Sequence, residues 1–115
     1  MALPALTPSD VAAGLAALPG WRHNGGVIQR IFPTDGWRGS MLVANAIGFI
    51  CEAADHHADV LITWPRVTVS LSTHSAGGIT ALDLEVAMLI ERHIGWKPGP
   101  ESALAGPAVP IVKPD

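Results

Sequence analysis

Between Val67 and Ser72 the side chains alternate without a break: Val67, Val69 and Leu71 fall on one side, Thr68, Ser70 and Ser72 on the other. Successive side chains of a strand point to opposite faces, so this run reads as a strand with one core face and one polar face. Such a strand suits an antiparallel sheet covered on one side only, since strands of a parallel sheet are buried on both faces.

The flanking segments supply partners for it. Asn24-Gly25-Gly26 is a turn signal between Trp21 and a run rich in β-branched and aromatic residues, Val27 to Phe32, which predicts a hairpin over roughly 21–33. Pro33-Thr34-Asp35-Gly36 closes it. Val60, Leu61 and Ile62 read as a short strand that Trp64-Pro65 breaks, because proline cannot donate to a ladder. Three helices complete the pattern. The first starts with Thr7 as N-cap, Pro8 in the first turn and Val11, Leu15 and Leu18 at helical spacing, and ends at Pro19-Gly20. The second, from Trp37 to about Asp55, is apolar around most of its circumference and needs cover. Glu52 and His56, four apart, are expected to share a face at its end. The third begins at Thr80 with Asp83 three residues on, as in a capping box, and runs to about Gly95. The order is α-β-β-α-β-β-α, an α+β fold in which a four-stranded antiparallel sheet carries its helices on one face. Residues 1–96 are expected to form a single domain. Residues 97–115 hold five of the ten prolines and no periodicity, so an irregular tail is expected.

Composition narrows the function. The net charge is -3 and no Lys or Arg cluster occurs, which argues against direct binding to nucleic acid. Cys51 is alone, so no disulfide forms within the chain; together with the lack of a signal peptide this points to the cytoplasm, and Cys51 reads as a buried small hydrophobe. No apolar run approaches the ~20 residues of a membrane span. With 49% apolar residues, a filled core and further apolar surface hidden in a homo-oligomer are expected.

The chemistry concentrates between Glu52 and Asp83. Three of the five histidines lie there (His56, His57, His74), with the carboxylates of Glu52, Asp55, Asp59 and Asp83, although charged residues are only 15% of the chain. Imidazole beside carboxylate is the equipment for moving protons near neutral pH. Zinc is disfavoured: the side chains of adjacent His56 and His57 diverge, and neither HExxH nor CxxC is present. Asp83 also has a purely structural reading as the third residue of a capping box. His23 and His93 read as structural or solvated.

The run Glu52-x-x-x-His56-His57, then Trp64, then nine residues to His74 and eight to Asp83, resembles the signature of the pterin-4a-carbinolamine dehydratases. The Ser72-Thr73-His74 triplet and the Leu18-Pro19-Gly20-Trp21 opening are similar to that family too, over roughly residues 5–95. The resemblance implies dehydration of a 4a-hydroxytetrahydropterin with no metal or organic cofactor. His56 and His74 would be the acid/base pair and His57 a contact to the pterin edge. Asp55 would orient a histidine, with Glu52 and Asp83 as supports. Ser72 and Thr73 would bind substrate, and Trp64 would offer its indole to the flat ring. Ala58 and Val60 depart from the family's pattern, which tends to have proline, cysteine or serine and then an aromatic there; both changes bear on the pocket wall. The implied partner is a small pterin, in a homodimer or homotetramer. The alternative is a non-catalytic relative acting through protein contacts, as family members do as a dimerisation partner of a homeodomain transcription factor or as assembly chaperones for a carbon-fixing enzyme. The retained histidines favour the enzyme.

Overall fold

A computed structural model of the chain describes residues 3–114. The elements follow the expected order: α1 (Pro8–Leu15), β1 (Trp21–Asn24), β2 (Val27–Pro33), α2 (Trp37–Ala54), β3 (Asp59–Thr63), β4 (Arg66–Leu71) and α3 (Ala81–Ile94). The four strands form one antiparallel sheet in the order β1-β2-β4-β3. Asn24 pairs with Val27, so the first hairpin turns on Gly25-Gly26 alone, and Gly25 takes φ +64°, where a Cβ would be strained.

The alternation in β4 does what it requires. Val67, Val69 and Leu71 are fully buried and, with Ile28 and Phe32 of β2, make the sheet's core face. Val43, Ile47 and Ile50 of α2 and Val86 and Ile90 of α3 cover it. Each such side chain, once buried, contributes about 1.5–3 kcal/mol relative to exposure. Cys51 is buried in the same layer. A polar cluster ties the sheet to α3: Glu91 Oε1 accepts from Arg30 Nε at 2.6 Å and from Trp21 Nε1 at 2.9 Å, and Arg30 lies 4.3 Å from the centre of the Phe32 ring.

Two boundaries differ from the sequence reading. α1 stops at Leu15, and Leu18 enters the core from a turn in which its N–H bonds to Leu15 O. α2 ends at Ala54, because Asp55 takes a left-handed conformation (φ 54°, ψ 41°). Its N–H bonds to Glu52 O while the next N–H, of His56, reaches back to Cys51 O, a Schellman-type termination.

Beyond Ile94 the described residues form no helix or strand, yet the end of the tail is anchored. Val112 bridges to Thr34, Lys113 N–H donates to Pro33 O at 2.8 Å and Asp35 N–H to Ile111 O at 3.2 Å. Ile111 and Val112 pack on the core from that side. This docking lies at the end of the sheet that carries the Trp64-Pro65 turn, since Thr34 N–H also bonds to Pro65 O. No helix among the described residues is long and apolar enough to cross a membrane.

Candidate active site

At the other end of the sheet the chain emerges twice. The turn after α2 delivers His56 and His57 to the start of β3, and β4 runs out through Ser72 and Thr73 into a single 3-10 turn, His74–Ala76. Because β3 and β4 are antiparallel neighbours, the start of one lies beside the end of the other. A cleft of about 410 Å³ opens between them, with His56, His57 and His74 all on its lining. The three histidines are thus brought together by strand pairing.

His56 is held most firmly. Its Nε2 lies 2.6 Å from Oδ1 of Asp83, which is fully buried at 0% exposure. The other oxygen, Oδ2, accepts from Thr73 Oγ1 at 2.8 Å and from the Thr80 backbone N–H at 2.9 Å. Thr80 Oγ1 in turn accepts from Leu82 N–H and lies 2.8 Å from Thr73 Oγ1. One carboxylate therefore closes the capping box of α3 and anchors the imidazole. The structural and the supporting readings of Asp83 describe two oxygens of one group. An ionised carboxylate can only accept, so His56 donates from Nε2 and Nδ1 is left for other partners.

His57 Nε2 lies 2.8 Å from Glu52 Oε1, an exposed pair. Their spacing of four in the sequence predicts Glu52 and His56 on one helical face. That fails because the helix has already ended, and the left-handed Asp55 swings His56 inward and brings His57 back over Glu52. Asp55 shapes this turn, and the histidines' carboxylate partners among the described residues are Asp83 and Glu52.

Ser72 lines the cleft. Thr73 does so as well, but it is buried and its hydroxyl is committed to Asp83 and Thr80, so the side chain supports the site from behind. Trp64 is not brought in. It sits in the β3–β4 turn, five residues beyond the start of β3, roughly 15 Å away along the strand, and remains 64% exposed. Asp59 and Ser70, to which the sequence assigns no role in the chemistry, also line the cleft. The polar face of β4 was the signal for Ser70, and Asp59 is its register partner on β3.

Two larger hollows exist, one of about 580 Å³ between the ends of α2 and α3 and one of about 770 Å³ under the tail. Neither sets a histidine beside a carboxylate on its lining. Among the described residues no group of three or more His, Cys, Asp or Glu side chains could hold a metal ion.

Residues 4–93 match the family model described as pterin 4 alpha carbinolamine dehydratase. A Thermosynechococcus vestitus protein named "Putative pterin-4-alpha-carbinolamine dehydratase" is 42% identical over 85 residues, covering 74% of this chain and 90% of that one. Relatives of the same name from Mycobacteroides abscessus (41% over 90 residues, 78% and 96% covered) and Aquifex aeolicus (38% over 86 residues, 75% and 87% covered) are also similar. The crystal structure of a transcriptional coactivator/pterin dehydratase from Brucella melitensis superposes with a TM-score of 0.71 at 30% identity, covering 76% of this chain and 95% of that one.

Proposed function

The chain belongs to the pterin-4a-carbinolamine dehydratase family, and on that premise we propose that its histidine cleft removes water from a 4a-hydroxytetrahydropterin to give the quinonoid dihydropterin. Hydroxide is a poor leaving group, so one imidazolium donates a proton to the 4a-oxygen as the C4a–O bond breaks. The N5 proton passes to the second imidazole, and the electrons of the N–H bond become the new C4a=N5 bond. Water is the only other product, and no electron leaves the system. His56 and His74 are the acid/base pair of this reading, and His57 is a contact to the ring edge. Such a step needs two positioned acid/base groups and no nucleophile, metal or redox cofactor.

The observation that carries the reading is the fixing of His56 by Asp83. A fully buried carboxylate with three donors around it holds one imidazole in one orientation on a cleft that His74 also lines. Stopped-flow decay of 4a-hydroxytetrahydropterin tests it. The wild type is expected to exceed buffer by orders of magnitude, with His56→Ala and His74→Ala each losing about 10²–10⁴-fold. A wild type no faster than buffer ends the enzyme reading; variants as fast as wild type end the assignment of roles.

One observation supports a second activity through protein contacts. Phe49 on α2 is 71% exposed, and Leu42 and Leu89 stand out on the same helical layer. A homodimer or homotetramer would cover such residues. Size exclusion of the purified protein, alone and with cell extract, separates self-association from a different partner.

A further inference from the structure

We propose that Asp59, together with Ser70, recognises the amino-pyrimidinone edge of the pterin and so sets which way round the ring lies in the cleft; this rests on the cleft being a pterin site. Asp59 and Ser70 are register partners at the junction of β3 and β4. Val69 and Leu71 on either side of Ser70 are buried, so Ser70 and Asp59 share the open face of the sheet, and both line the histidine cleft. Ser72, one residue past the end of β4 and two beyond Ser70, lines the same cleft about 7 Å away, which is the scale of a fused bicyclic ring.

The hydrogen-bonding capacities match. Ser70 Oγ accepts from Gln29 Nε2 at 3.1 Å, which leaves its own proton to donate. Asp59 makes no ion pair among the described residues, and a carboxylate offers two acceptors side by side. The pterin edge presents the complement in order: the 2-amino N–H and N3–H as adjacent donors, then the 4-carbonyl as acceptor. Two parallel bonds to a carboxylate give register as well as attraction. The 4-carbonyl stands beside N5 and C4a, the atoms that the histidines serve. Fixing that edge on Asp59 and Ser70 turns the reacting atoms towards the end of the cleft where the chain enters from His57 and leaves through His74.

A blander role for Asp59 exists. β3 is an edge strand, and a charge at its start discourages pairing with other chains. That role needs only charge and says nothing of ligand preference, so the two are separable.

The test compares binding, by fluorescence titration, of 6-methyl-7,8-dihydropterin and 6-methyl-7,8-dihydrolumazine. The second replaces the 2-amino donor by a carbonyl oxygen and keeps N3–H and the 4-carbonyl. The wild type is expected to prefer the pterin by roughly tenfold or more, since a carboxylate faces the carbonyl oxygen unfavourably. Asp59→Asn presents one acceptor and one donor, the complement of the 2-oxo edge. It is expected to weaken the pterin by roughly tenfold, to bind the lumazine as well as wild type or better, and so to reverse the preference. Asp59→Ala should bind both poorly and without preference. Asp59 is exposed, so unchanged thermal melting of both variants is expected. A wild type that dehydrates its substrate yet binds both compounds alike, or an Asp59→Asn variant that keeps the wild-type preference, overturns the assignment of Asp59. A wild type that neither dehydrates nor binds either compound overturns the pterin reading itself.

Discussion

Asp83 and Asp55 show how much one side chain can decide. Asp83 is buried with donors on both oxygens. Asp83→Ala would leave Thr73, the Thr80 N–H and His56 without their acceptor and is expected to cost about 2–4 kcal/mol by denaturant unfolding. Turnover should fall at least tenfold, because His56 loses its anchor. Thr80→Ala is the control: it removes the N-cap oxygen and should cost about 1 kcal/mol, leaving the Asp83–His56 contact in place and turnover within a few-fold of wild type. Asp55 has a different task. It is the one non-glycine among the described residues with positive φ, so Asp55→Gly is expected to be neutral or to stabilise by up to about 1 kcal/mol. Steady-state rates within twofold of wild type would mark Asp55 as the shaper of the turn; a large loss would restore it as a partner of a histidine.

At the scale of elements, the joints carry the specificity. Glu91 binds β1 and β2 to α3 through Trp21 and Arg30. Removing it takes one carboxylate from the buried Arg30 guanidinium and from the Trp21 indole, so Glu91→Ala is expected to lower stability by about 2–4 kcal/mol, read as a lower urea midpoint at unchanged slope. The start of α2 is a joint of another kind. A Cβ on Gly39 would crowd Asp35 Oδ1 most closely and would also lie 2.7 Å from Ile111 O, a backbone atom that cannot step aside alone. Gly39→Ala is therefore expected to push the tail off the helix, at about 1–3 kcal/mol, with faster amide exchange at Asp35 and Lys113 as the local sign.

For the whole molecule, the two ends of the sheet differ in what they carry. The histidine cleft occupies the end where β3 begins and β4 finishes, and the tail closes the end where they turn. Residues 97–114 lie beyond the part that matches the family model. Ending the chain after Trp96 is expected to uncover the side of the core on which Ile111 and Val112 pack, lower the melting temperature and increase dye binding to apolar surface. Dehydration by the shortened chain should stay within a few-fold of the full chain. Loss of activity at intact fold would show instead that the tail couples to the cleft.

Much of this was legible in the chain because it depends on near neighbours. The alternation of Val67 to Ser72, the Gly25-Gly26 turn and the Thr80–Asp83 cap each follow from spacing under four residues or from a period of two, and side-chain direction is local in a strand or a helix turn. The convergence of His56, His57 and His74 was expected from the resemblance, and the pairing of β3 with β4 is what places them together. Which carboxylate meets which imidazole was not legible. Asp83 reaches His56 across 27 positions, and Glu52 meets His57 rather than His56. Both outcomes follow from where α2 stops and how α3 docks, which single-residue preferences do not determine. The exile of Trp64 to the far turn and the return of Ile111 and Val112 to the core have the same cause: long-range contacts are settled by how elements pack, and packing exists only once the sheet and its helices have met.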